Sequence, residues 1–121
     1  MVQDVADFAR LAAGSLGIDL APHEGAALVS DATGTLRPLA EQRHVRLDVV
    51  PPGGAWSLVC DRDRLLQALW NLALQVLQTA AGGATLTLSI RRTGKDVEFS
   101  LACDPRGAVL EVPARPAGTA R

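Results

Sequence analysis

The 121-residue chain has no tyrosine, two phenylalanines and two tryptophans, so aromatic side chains make up 3% of it. Stacking platforms for unpaired bases are therefore excluded, and aliphatic residues and alanine must fill any core. Net charge is also scarce. Twelve basic side chains against thirteen acidic ones leave −1, and no block of like charges gives nucleic acid or an anionic membrane a footprint to meet. Protein partners are what remains. The two cysteines, Cys60 and Cys103, are too few for a disulfide framework, and with His23 and His44 they show no metal-ligand spacing. Each ends an apolar stretch, where a cysteine serves as a small buried hydrophobe. Long apolar runs are missing as well. The richest, Leu65 to Leu77, is interrupted by Gln67, Asn71 and Gln75, and no charged-then-apolar leader opens the chain, so a cytoplasmic protein is expected. Lys95 stands alone beside eleven arginines, a bias without functional weight.

What the chain does have is an ordinary globular balance, 48% hydrophobic and 21% charged, far from the signature of disorder. At this length a single core burying roughly 65% of the unfolded surface is expected. Val2, Val5, Phe8, Ala9 and Ala12 recur at helical spacing, which predicts a helix over 2–13, stopped by Gly14-Ser15-Leu16-Gly17. A second helix fits Glu24 to Gln42, with Ala27, Leu28, Ala32, Leu36, Leu39 and Ala40 on one side; Pro38 should kink or shorten it. Val45, Leu47 and Val49 alternate with polar residues up to Pro51-Pro52-Gly53-Gly54, and Trp56 to Cys60 forms another short strand. Asp61 caps a helix reaching about Thr79, and Gly82-Gly83 ends it. The alternating runs 86–90 and 97–101 flank Thr93-Gly94-Lys95-Asp96, a hairpin signal. A final strand at Val109–Val112 precedes a tail rich in proline and alanine.

Strands joined by hairpins, with helices grouped elsewhere, imply an α/β fold: a two-layer sandwich in which a mixed, mostly antiparallel sheet of about five strands carries helices on one face, plus the N-terminal helix. No repeat or linker divides the chain, apart from a boundary between the helix at 1–14 and the domain at 15–121.

Asp61-Arg62-Asp63-Arg64-Leu65-Leu66-Gln67-Ala68-Leu69-Trp70-Asn71-Leu72 resembles the start of the N-box helix of histidine kinases, in the ATPase domain of the GHKL superfamily. The segment from Val2 to Leu11, with Gly14 and Leu16, is similar to the end of the second dimerisation helix and its lead into that domain. Leu28-Val29, Leu39-Ala40 and the strand at Val45 fall where the family places its first domain helix and strand, so the similarity spans nearly the whole chain.

The similarity breaks where the family binds nucleotide. Gln75 stands at the position of the magnesium-holding Asn and Gln78 at that of a phosphate-binding basic residue, whereas Asn71 matches the first N-box Asn. A glutamine carries its amide oxygen one methylene further out, and Mg²⁺ demands near-octahedral geometry. Asp104-Pro105-Arg106-Gly107-Ala108 keeps the adenine-binding Asp of the family's Asp-x-Gly-x-Gly, with Arg106 and Ala108 at the glycine positions. Gly107 to Val112, with Gly118-Thr119 beyond, resembles the family's closing sheet segment, which implies that the ATP lid and the helix after it are missing between Asp104 and Gly107.

The resemblance and these departures together imply a non-catalytic signalling module, not an enzyme and without a cofactor. It would bind a protein partner (itself, a histidine kinase or a response regulator) and would form a homodimer through Val2, Val5, Phe8 and Ala12. Asp104, Asn71 and Gln75 would be a vestigial nucleotide site. The alternatives are a nucleotide-binding regulator or kinase remnant using Asp104 and Asn71, and a phosphotransfer protein using His23. His23-Glu24 is similar to the His-Glu of a phosphoacceptor box, but the downstream Arg-Thr-Pro-Leu of that box is absent. We therefore expect incubation with acetyl phosphate or an active kinase to leave the protein unlabelled. An acid-labile label that disappears in His23→Ala would establish phosphotransfer instead.

Overall fold

The computed structural model describes residues 19–94, 96–104 and 106–113. The helix expected over 2–13, with its face of Val2, Val5, Phe8 and Ala12, lies outside the described residues, as does the tail after 113.

The chain enters as a short strand, β1 (Ala21–Glu24), and passes directly into helix α1 (Gly25–Gln42). Pro38 lies within α1 and does not shorten it. A proline removes one N–H and crowds the carbonyl four residues back. Here that residue is the exposed Gly34, whose carbonyl can turn to water. The helix ends at Arg43, and His44 takes up a left-handed conformation (φ 58°), a place usually given to glycine. The His44 carbonyl accepts the Gly83 N–H at 2.8 Å, so the turn is pinned by the distant Gly82-Gly83 loop.

Strands β2 (Arg46–Val50) and β3 (Ser57–Cys60) follow, and Asp61 then starts α2 (Arg62–Val76), which tightens into a 3₁₀ turn over Leu77–Thr79. As expected of an N-cap, the Asp61 carboxylate accepts the Arg64 N–H at 3.2 Å. Its other oxygen accepts the Asp19 N–H at 3.1 Å, fastening the entering chain to the head of α2. Strands β4 (Thr85–Thr93), β5 (Asp96–Cys103) and β6 (Arg106–Pro113) complete the fold.

The strands form two sheets. β2, β4, β5 and β6 lie side by side in that order; β2 runs parallel to β4, and the β4–β5 and β5–β6 pairs are antiparallel. β3 stays out of this sheet and pairs antiparallel with β1, placing His23 opposite Leu58. The strand at β1 is not visible in the sequence pattern, because four residues containing Pro22 make too short an alternation. One face of the main sheet points its apolar residues (Leu86, Leu88, Ile90, Val97, Phe99 and Leu101) at α1 and α2, and all are at most 3% exposed. From the helices, Leu28, Leu36, Leu69, Leu72 and Val76 meet them. Cys60 and Cys103 are buried among these side chains, as the sequence implied, and burial with the nearby Asp61 charge pushes the Cys60 thiol up to about 11. Among the described residues no helix is long and apolar enough to cross a membrane.

Two predictions follow from these joints. At Gly25, whose N–H donates to the Trp56 carbonyl at 2.7 Å, any Cβ would run into the Trp56 indole. Gly25→Ala should thus cost about 1–3 kcal/mol of stability, the usual range for overpacking, measured by denaturant unfolding. For Asp61, burial acts to raise the carboxyl, but the N–H groups of Asp19 and Arg64 and the Arg64 charge outweigh it and leave the pKa lowered. A lowered folded-state pKa stabilises the fold above the ordinary aspartate range and stops doing so as pH falls through the folded value. Asp61→Ala should cost about 1 kcal/mol at pH 7, and the gap from the parent should close in acid. A gap that persists after the Asp61 carboxyl has been fully protonated would show that the cap does not act through its charge.

Candidate nucleotide site

The residues singled out from the sequence lie on α2 and on the turn that follows β5. Helix α2 packs across β5 and β6, and it supplies Asn71 and Gln75, one turn apart and so on the same side. The turn that joins β5 to β6 supplies Asp104.

Each of these polar groups has a distinct setting. Asn71 is exposed and donates its side-chain N–H to the Gln67 carbonyl at 3.0 Å, a bond back onto its own helix. Gln75 is half-buried, and Gln78 is exposed in the 3₁₀ turn. Asp104 is exposed, directly after the buried Cys103, whose thiol is pushed up by burial and by the Asp104 charge. Among the described residues no hydrogen bond joins Asp104 to Asn71 or Gln75.

The positions that match the family's glycines have become ordinary sheet. Arg106 pairs with Cys103, Gly107 with Ala102 and Ala108 with Leu101. Ala108 is 8% exposed and belongs to the core. A Cβ on Gly107 would meet only the Leu101 carbonyl, at 3.5 Å, an ordinary contact. Neither close approach nor positive φ requires a glycine there. With β5 ending at Cys103 and β6 starting at Arg106, residues 104 and 105 are the whole connection.

A cleft of about 480 Å³ that the sequence did not point to opens elsewhere. It lies between the start of α1 and the loop before β3, lined by Glu24, Gly25, Gly54 and Trp56 among others. Only a lone tryptophan following Gly53-Gly54 could have signalled it. It includes none of Asn71, Gln75 or Asp104. Among the described residues no group of three or more His, Cys, Asp or Glu side chains is placed to hold a metal ion.

No family model matches the sequence, and no curated protein does. Solved structures do match. A histidine kinase from Burkholderia phymatum STM815 is similar over 78% of this chain and 42% of its own length, with 25% identity and a TM-score of 0.63. The kinase ShkA, solved full-length with AMPPNP, is similar over 78% of this chain and 20% of its own, at 23% identity and a TM-score of 0.61. ThkA is similar as its nucleotide-free catalytic domain, over 69% of this chain and 57% of that one, at 12% identity and a TM-score of 0.60. Its complex with the response regulator protein TrrA is similar over 68% of this chain and 25% of that one, at 12% identity and a TM-score of 0.57. The chain thus spans from a fifth to rather more than half of the structures it matches.

These matches correct one expectation. The departures at Gln75, Gln78, Arg106 and Ala108 led the sequence reading to place the chain outside the enzymes. The structures it matches are histidine kinases, one of them solved as a catalytic domain, and histidine kinases are enzymes. Substitutions at single positions describe a site's ligands, whereas backbone similarity over most of the chain reports the fold that carries them, and the two need not agree. The α/β sandwich described here is the fold of the histidine-kinase ATPase domain of the GHKL type.

Proposed function

We propose that this chain is a signalling module of the two-component kind, derived from a kinase, whose work is done through contact with a protein partner, a histidine kinase or a response regulator. The observation that carries the reading is the two-residue connection between β5 and β6. A nucleotide lying against α2 would find no segment there to fold over its phosphates. ThkA supports the partner class, having been solved with a response regulator.

A second reading has its own support. Asp104 keeps an exposed carboxylate, Asn71 keeps an exposed amide, and ShkA was solved with AMPPNP. A nucleotide-binding regulator would use these two groups. Their energetics favour weak binding. Contacts from Asp104 and Asn71 contribute roughly 1.5–3 kcal/mol for each charge-assisted hydrogen bond. Association costs roughly 4–15 kcal/mol, and neither a basic side chain at Gln78 nor a well-placed amide at Gln75 offsets it.

Mg-ATP should accordingly bind more weakly than about 1 mM by calorimetry, and a receiver domain should bind the protein equally well with and without nucleotide. Saturable heat at micromolar Mg-ATP, abolished by Asp104→Asn, would replace the first reading with the second.

A further inference from the structure

Trp70 is 38% exposed, although it sits in the middle of a helix that buries Leu65, Leu69, Leu72 and Val76. Leu66 and Leu74, one turn before and one turn after it, are only partly buried against the core. At i, i+4 and i+8 these three form a continuous apolar stripe along α2. Val50 and Val109 are also exposed, but they lie on separate strands of the main sheet and have no such flanking residues. A half-covered stripe containing a tryptophan is a costly surface to leave in water.

The chain itself holds a segment of matching shape, attached at the right place. The Asp61 carboxylate that caps α2 also holds the Asp19 N–H, so residues 1–18 depart from the head of this helix. The spacing of Val2, Val5, Phe8, Ala9 and Ala12 predicts a helix over 2–13 with one apolar face, about 18 Å long at 1.5 Å per residue. Leu74 lies about 20 Å along α2 from Asp61 by the same measure. Residues 14–18, with two glycines, can span up to about 17 Å, enough to reverse the chain. A helix run back antiparallel to α2 would set Ala12 near Leu66, Phe8 and Val5 near Trp70, and Val2 near Leu74. A short helix is marginal in water without such a surface. The tether, moreover, gives it a local concentration in the millimolar range, which a second copy in dilute solution cannot match.

We infer that residues 2–13 dock on the Leu66, Trp70 and Leu74 stripe of α2 in their own chain. This gives the face of Val2, Val5, Phe8 and Ala12 a cover in cis, where the sequence suggested a second copy. The occupant is a helix with a Val, Phe and Ala face, and displacing it exposes Trp70.

The full chain carrying Trp56→Phe makes Trp70 the only fluorophore of its kind. Adding Val5→Asp and Phe8→Asp should shift its emission to the red, and the blue emission before that change should be independent of protein concentration. As a second measurement, hydrogen exchange across residues 2–13 should be slow in the parent chain. It should become fast in Trp70→Asp, while α1, β4 and β5 keep their protection. Emission unmoved by Val5→Asp and Phe8→Asp, or fast exchange at 2–13 in the parent chain, would overturn the inference. So would blue emission and protection at 2–13 that fade on dilution, because a second copy would then be the cover.

Discussion

The structure depends on the apolar layer sealed between two helices and one face of a four-stranded sheet. Among the described residues no polar or charged side chain is buried in it, and no buried side-chain nitrogen or oxygen lacks a partner. Each large side chain there contributes roughly 1.5–3 kcal/mol by leaving water, more than the about 0–1 kcal/mol of an exposed ion pair at the rim. Leu86, Leu88, Ile90, Phe99 and Leu101 lie in one buried cluster with side chains of α1 and α2. β5 ends at Cys103 and β6 begins at Arg106, so the sheet closes with two residues between them. Chemistry, whatever its kind, is confined to the edges of this layer.

That confinement explains why the candidate nucleotide site looks as it does. Asn71, Gln75 and Asp104 sit on exposed or half-exposed positions of elements whose other side is core. Changing them leaves the packing intact. Ala108 shows the reverse. It occupies a position given to a nucleotide-binding glycine in the resembling family, yet its methyl is a core group opposite Leu101. A glycine there would lose apolar burial, and the ladder rather than a ligand now decides that residue.

The parts legible in the sequence were those set by neighbours in the chain. Asp61 was readable as a cap because its partner, Arg64, is three residues away. The β4–β5 hairpin announced itself through Thr93-Gly94, where Gly94 has φ +61°. The stripe that α2 buries followed from spacing alone. What escaped was set across long stretches. Ser57–Cys60 reads as a member of the main sheet, but only the pairing of Ala21 with Cys60 and Glu24 with Ser57 shows that it leaves it. Pro38 reads as a kink or an early end, but the helix runs on to Gln42 with Gly34 exposed four residues before the proline. Of the site, the residue identities and their departures from the family pattern were visible, but the conversion of Arg106 to Ala108 into plain strand was not. That depends on β5 as a partner, and so does the inward turn of Ala108.

Helix α2 joins these observations, since it bears both Asn71 with Gln75 and the stripe centred on Trp70. Its contacts with its surroundings differ in strength. The Arg62 to Asp31 ion pair, at 2.6 Å, ties it to α1, but both side chains are a third or more exposed, and such pairs are worth about 0–1 kcal/mol. Arg43 adds a hydrogen bond to the Leu77 carbonyl at 2.9 Å near the other end. The six residues α2 buries, Leu65, Ala68, Leu69, Leu72, Ala73 and Val76, outweigh both. The orientation of α2 is therefore fixed by packing, and the polar ties select its ends. A rigid helix fixed in this way cannot turn Trp70 outward without also turning Asn71 and Gln75. Whatever covers the outer stripe thus rests on the same helix that carries Asn71 and Gln75.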